Sequence, residues 1–330
     1  MAVEQDQPTL AAGGLTLDEQ SLHTLKQAVR ASVLRPTEDS FDSARHIWNG
    51  MIDRTPAAIV RCVSAADVIA AVNFAREHNL LLAVRGGGHS AAGSSVCDGG
   101  LMIDLSLMKG IRVDPGRRIG RAEPGVTQGE FDRETQAFGL ATTGGVVSTT
   151  GIAGLTLGGG IGWLGRTHGL SCDNLLSVDI VTADGQLHTA SAEQNADLFW
   201  AVRGGGGNFG VVTSFEYLLH EVGPTVLAGL LVWPRPMARD VLRAFREFTQ
   251  TAPENASAYA GLATAPDGVP IVLVVAFHHG PTEEGEALFA PLRKFGPPIA
   301  DMIQPMPYTA AQQMLDAANP PGNRVYWKSA

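Results

Sequence analysis

Six residues, Arg85-Gly86-Gly87-Gly88-His89-Ser90, bring together the side chains and backbone that chemistry would need. Three consecutive glycines let the chain turn sharply and lie close against another molecule. Successive N–H groups in such a turn form a concavity suited to phosphate oxygens. His89 stands at the end of it, where an imidazole can touch whatever the phosphates carry. A tight turn with an incidental histidine is the other reading of these residues taken alone. Two further glycine-rich segments weigh against that reading. Gly144 through Gly162 holds eight glycines in 19 residues. Each glycine loses more backbone entropy on folding than any other residue, so plain structure rarely asks for so many. The third segment, Gly204 through Val212, contains a formal GxGxxG at Gly205, Gly207 and Gly210.

Two familiar chemistries fail on context. A dinucleotide fingerprint follows a strand and opens a helix. Here Asp197–Val202 reads as a helix before the glycines, and Val211–Phe215 as a strand after them. Gly88-His89-Ser90-Ala91-Ala92 approaches the G-x-S-x-G nucleophile elbow, with Ala92 at the last position. The elbow needs a helix next, and Ala91-Ala92-Gly93-Ser94-Ser95 is a poor helix start. A serine hydrolase through Ser90 also leaves the two later glycine segments unexplained.

The elements that must position these segments follow from the pattern. Residues 1–55 read as a polar lead-in with one helix, about Asp18–Ala31. Pro56 opens a mixed α/β region. Ala57–Val63, Leu80–Val84, Gly100–Leu105, Leu175–Thr182 and Gly210–Leu219 have strand character. Ser64 caps a helix running to Glu77, with Val68, Ala71, Val72 and Phe74 on its apolar side. Val113-Asp114-Pro115-Gly116 and Ala183-Asp184-Gly185-Gln186 are turns between short strands. After Gly223 the glycines thin out. Val226–Trp233 and Ile271–Phe277 read as strands. Pro236–Thr251 reads as a helix with Val241, Leu242, Phe245 and Phe248 at helical spacing. Glu283–Phe295 reads as a helix that Pro291 would kink or shorten. The expected class is α+β, in three parts: residues 1–55 packing on the next part, 56–222, and 223–330. Only two or three strands are clear in the last part, which is thin for an independent sheet.

Composition narrows the function classes. The 330 residues are 45% hydrophobic and 17% charged, enough for a sizeable core in about two domains. Net charge is −9, which argues against a nucleic-acid surface. No apolar run approaches about 18 residues, so no membrane partner is expected. The acidic start Met1-Ala2-Val3-Glu4-Gln5-Asp6 lacks a signal pattern, so a cytoplasmic location is expected. Cys62, Cys97 and Cys172 show neither zinc spacing nor a disulfide framework, and no metal is expected.

Taken together and in this order, the three glycine segments resemble the FAD-linked oxidases of the vanillyl-alcohol-oxidase type, in the berberine-bridge-enzyme-like branch. The resemblance runs from about Asp42 to Lys328. It implies a PCMH-type FAD-binding domain of two α/β subdomains at 56–222. It also implies the start of an antiparallel-sheet-plus-helices substrate domain from 223, with the later part of that domain and a segment returning to the flavin missing. His89 matches the histidine that bonds covalently to the flavin methyl carbon. A second tether, a cysteine in some members, falls on Val147, so a single covalent link is implied.

The same resemblance places cofactor contacts on Arg85, Gly86, Gly87, Gly88, Ser90 and Gly93; Arg85 would offset pyrophosphate charge, and a structural surface pair is the equal alternative for it. It places others on Gly144, Gly145, Val147, Thr149, Gly151, Gly154, Gly158 and Gly162. Asn174, Asn208, Gly210, Val211 and Val212 complete the set. Tyr308, Tyr326 and Lys328 fall near the expected substrate side, though core or surface roles suit them equally, and no catalytic base is named. The implied reaction is hydride transfer from an alcohol or activated C–H carbon of a small organic substrate to flavin N5, with reoxidation by dioxygen. A truncated, catalytically incomplete FAD-binding fragment is the alternative, and a Ser90 hydrolase a remote one.

Overall fold

The computed structural model describes residues 18–328. Asp18 accepts from the Ser21 N–H at 2.7 Å and caps a helix over Glu19–Ala28, which buries Leu22 and Leu25. Only part of the lead-in is packing material. Ser32–Leu34 is a strand that pairs antiparallel with Ala58–Arg61 and forms the edge of the first sheet. Ala58–Arg61, Leu101–Asp104 and Leu82–Arg85 continue that sheet in parallel. The helix Ala65–Glu77, capped by Ser64 as its sequence predicts, carries the chain from Ala58–Arg61 to Leu82–Arg85, the parallel strands on either side of Leu101–Asp104. Both sheet faces are covered. Val60, Leu101 and Ile103 meet Val68, Ala71 and Phe74, while Ile59 and Met102 meet Phe41 and Ile47.

The second sheet is wholly antiparallel, in the order Ile111–Asp114, Ile119–Ala122, Val211–Leu218, Leu175–Val181, Leu187–Ser191. Both predicted turns close its hairpins. The helices Gln128–Gln136, Ile152–Leu157 and Ala196–Val202 supply apolar side chains to its core. The glycine-rich setting hides Ile152–Leu157 from pattern reading, and a mostly polar face hides Gln128–Gln136. Its signal is the Thr127-x-x-Glu130 capping box, with the Glu130 carboxylate accepting from Thr127 N at 2.7 Å.

The C-terminal third holds more sheet than its sequence suggests. Thr225–Pro234 pairs with Pro270–His278, which pairs with Ala256–Thr264, and the short strands Ala300–Asp301 and Gln304–Pro307 add to the other side. Ala256–Thr264 escapes pattern reading because alanine, serine and glycine dominate it, and small residues have weak strand preference. The helices Ala238–Thr251 and Thr282–Lys294 cover one face. Val241, Phe245 and Phe248 face the sheet, but Leu242 is turned outward. The second helix runs through Pro291 for three further residues instead of stopping there.

The opposite face packs on the first half of the chain. Val226, Val275, Phe277 and Tyr308 share one apolar core with Ala141, Trp163 and Val222. Tyr308 is fully buried there, while Tyr326 is almost fully exposed. Residues 308–325 return across the first half. Gln312 Nε2 donates to Asp132 Oδ2 at 2.9 Å, and Val325 N donates to Asn49 Oδ1 at 3.0 Å. No described helix is long and apolar enough to cross a membrane.

Candidate functional site

A cavity of about 850 Å³ opens where the first two sheets meet. All three glycine-rich segments reach it. Gly86 through Ser90 form one wall, and Gly145, Val147, Gly151, Gly154 and Gly158 another. Gly207, Asn208, Gly210, Val211 and Val212 form a third. Leu82, Val84, Leu105 and Pro124 add apolar lining, and Trp48, Asn319 and Trp327 come to it from far along the chain.

The first two walls touch where backbone meets backbone. A Cβ on Gly87 would stand 2.4 Å from Gly151 Cα, and one on Gly151 would stand 2.4 Å from Gly87 N. No other residue type fits either position. Gly154 differs: it is exposed, inside the helix Ile152–Leu157, and a Cβ there would meet no protein atom within 4 Å. The N–H groups of Gly87, Gly88, His89 and Ser90 find no protein acceptor among the described residues. Ser95 Oγ, also lining the cavity, is buried without a partner. Donors left free along a concave wall in this way suit the oxygens of an anionic ligand.

His89 is the titratable side chain of the lining. Its Nε2 lies 2.9 Å from Thr149 Oγ1, while Nδ1 has only a 3.5 Å approach from Thr150 Oγ1. The Trp48 ring stacks on it at 5.3 Å and 18°. Burial holds the imidazole below its ordinary range, with Asp316 pulling weakly the other way. The ring is therefore neutral near pH 7, with a nitrogen lone pair available.

Several expected contacts go elsewhere. The Arg85 guanidinium donates to the Ala44 carbonyl, behind the wall, and does not line the cavity. Gly93 packs on Ile52, and Gly162 on the carbonyl of Gly144, which itself presses on Gln128. Thr149 acts through His89. Asn174 spends its amide inside the protein, donating to the carbonyls of His168 and Leu170 at 2.9 and 2.8 Å. No charged side chain lines the cavity, so an anion there would be met by backbone dipoles. The thiols of Cys62, Cys97 and Cys172 are buried, and burial pushes each upward, Cys97 to about 11. Ser90 Oγ accepts from Ser94 N at 3.1 Å, and no helix follows it, so the nucleophile-elbow geometry is absent. A smaller groove of about 370 Å³ lies at Arg112, Arg121 and Asp179, but Arg121 is already held by Asp179 at 2.7 Å and Ser214 at 2.8 Å.

A second histidine group lies apart from the cavity, at the seam with the third sheet. His168 and His220 stack at 3.7 Å, and His279 stands 5.8 Å from His168. Thr167 Oγ1 donates its one proton to the Glu254 carbonyl at 2.8 Å, so the contact of 2.9 Å with His279 Nε2 must be a donation from the ring. By the same logic His220 Nε2 donates to Asn174 Oδ1 at 2.6 Å. Burial, and repulsion from neighbouring histidines, lower His220 and His279 to about 4. Arg166 closes the seam by donating to the carbonyls of Ala252, Pro253 and Ala256.

The geometry agrees with what similar proteins are. Residues 56–191 match the FAD binding domain family. An FAD-linked oxidoreductase of Dictyostelium discoideum is 37% identical over 84% of this chain and 60% of its own length. The (R)-6-hydroxynicotine oxidase of Paenarthrobacter nicotinovorans is 35% identical over 84% of this chain and 61% of its own length. Among solved structures, 6-hydroxy-D-nicotine oxidase from Arthrobacter nicotinovorans superposes with a TM-score of 0.83 at 34% identity, over 88% of this chain and 64% of that one. BBE-like 1 of Physcomitrella patens gives 0.81 at 26% identity, over 92% and 65%. The chain thus spans 60–61% of the length of the first two relatives. With an FAD-binding domain, a fold shared with these oxidases and relatives above 30% identity, the chain belongs to the PCMH-type family of FAD-linked oxidoreductases.

Proposed function

We propose that the cavity holds FAD tethered through His89, and that the chain is the FAD-carrying part of an oxidase acting on a small organic substrate. The observation that carries this reading is a neutral, stacked imidazole beside four unpartnered N–H groups. The N–H groups of Gly87 to Ser90 suit the oxygens of a pyrophosphate, and they do so without help from Arg85. Gly154, whose Cβ position is open, gives the cofactor backbone-distance access along the second wall. Leu82, Val84 and Leu105 keep water from that part of the site.

FAD held there would supply a hydride acceptor at N5 for an alcohol or activated C–H carbon, with dioxygen as the electron acceptor. The chain's own part is to position the cofactor, hold His89 neutral and fix its ring between Trp48 and Thr149. Val147 offers no nucleophile and the three thiols lie buried, which supports one tether only.

Acid precipitation of the purified protein tests this. Yellow colour is expected in the pellet, and His89→Ala should move it to the supernatant. Flavin released by acid from the unmodified chain overturns the tether. A colourless protein that takes up no added FAD overturns the site.

A further inference from the structure

We propose that Asp316 is a positioning residue for His89, holding from the returning segment both groups that fix the imidazole. The inference rests on the reading of His89 as the tether. The Asp316 carboxylate accepts from Ser148 N at 2.8 Å and from Ser148 Oγ at 2.5 Å. Ser148 directly precedes Thr149, whose hydroxyl meets His89 Nε2. The Asp316 carbonyl also accepts from Asn319 N at 2.9 Å, and the Asn319 carbonyl accepts from Trp48 Nε1 at 3.0 Å. Trp48 is the ring that stacks on His89. Residues 316–319 therefore close a loop of contacts around the imidazole, reaching it from about 230 positions away in sequence.

The carboxylate also has an electrostatic part. Among the described residues, Asp316 is the charged group whose field acts on His89, and it favours a positive ring against the effect of burial. Overall, tethering loses one flavin methyl C–H and one imidazole N–H and forms one C–N bond. Dioxygen takes up the two electrons and two protons as hydrogen peroxide. Until the ring gives up its N–H proton it carries a positive charge, and a carboxylate held by Ser148 offsets that charge.

The test follows flavin incorporation into the acid pellet after FAD is added to flavin-free protein, across a range of pH, for Asp316→Asn, Asp316→Glu and Asp316→Ala. Asp316→Asn keeps the shape and an acceptor for Ser148 but removes the charge. It should slow tethering about tenfold, one pKa unit's worth of charge stabilisation. It should also move the acid limb of the profile to lower pH, since the ring then stays neutral further into acid. Asp316→Glu should restore both. An Asp316→Asn protein with unchanged rate and unchanged acid limb overturns the proposal, as does slowing only in Asp316→Ala. If the unmodified chain tethers no flavin, the His89 reading fails. The proposal is then decided by NMR titration of His89 in flavin-free protein, where Asp316→Asn must lower the midpoint and an unmoved midpoint overturns it.

Discussion

Along the cavity, Gly87 to Ser90 present N–H groups with no acceptor in the described protein, and His89 stands among them half-buried. Around His168 the arrangement is reversed. Thr167, Asn174, His220 and His279 meet one another or a backbone carbonyl, and three imidazoles crowd together with their titrations pushed down. By pKa perturbation alone the seam would look the more reactive of the two regions. The hydrogen bonding says otherwise: its polar groups serve to dock the third sheet, while the N–H groups of the cavity wall meet no acceptor among the described residues. A perturbed titration marks a site only when geometry leaves the group something to react with.

The contrast can be broken at its hardest point first. Gly87→Ala forces backbone apart from backbone at Gly151 and should cost about 3 kcal/mol of stability, read from the denaturant midpoint. An unchanged midpoint would show that the two walls do not touch.

The seam should respond to acid. His220 and His279 titrate near 4 when folded, against about 6.5 unfolded. Between those values the unfolded chain binds more protons, so their contribution is intact above pH 6.5 and is lost as pH falls toward 4. Thermal midpoints of His279→Gln should therefore fall less steeply over that window than those of the unmodified chain. Asp132 works in the opposite direction. Burial raises its carboxyl to about 7 when folded, so its contribution is present below the ordinary carboxylate range and lost as pH rises toward 7. Asp132→Asn should accordingly make the loss of stability in acid steeper. Parallel pH curves for all three proteins would remove both assignments.

At Gly154 the two regions separate most cleanly. Alanine fits the protein there and should raise stability by about 0.5–1 kcal/mol, as in any helix interior. In a His89→Ala background, where FAD is held without a tether, it should nevertheless weaken FAD retention about tenfold, the equivalent of ~1.4 kcal/mol, because the added methyl points into the cavity. Equal retention would mean that this glycine does not face the cofactor. Gly165→Ala, also free of neighbours within 4 Å but outside the cavity lining, should change stability by no more than about 0.5 kcal/mol and retention not at all.

The three glycine segments, the strand before His89 and the helix–glycine–strand order around Gly205 are all legible in the sequence, because they depend on local backbone freedom and short-range periodicity. From these come the family, the cavity-lining glycines and His89. Local pattern has no means of telling which glycines face a ligand and which face protein: Gly154 and Gly162 read alike, yet one is open and the other presses on a carbonyl. The motif leaves Arg85 open between a phosphate partner and a structural pair, and the fold decides: its guanidinium reaches Ala44, because the strand ahead of the turn sends that side chain behind the wall. Trp48, Asn319 and Asp316 carry no sequence signal at all. They reach His89 only because the returning segment packs across the first half of the chain, and contacts spanning 168 and 271 residues are made by the packing of sheets and cores rather than by any local preference.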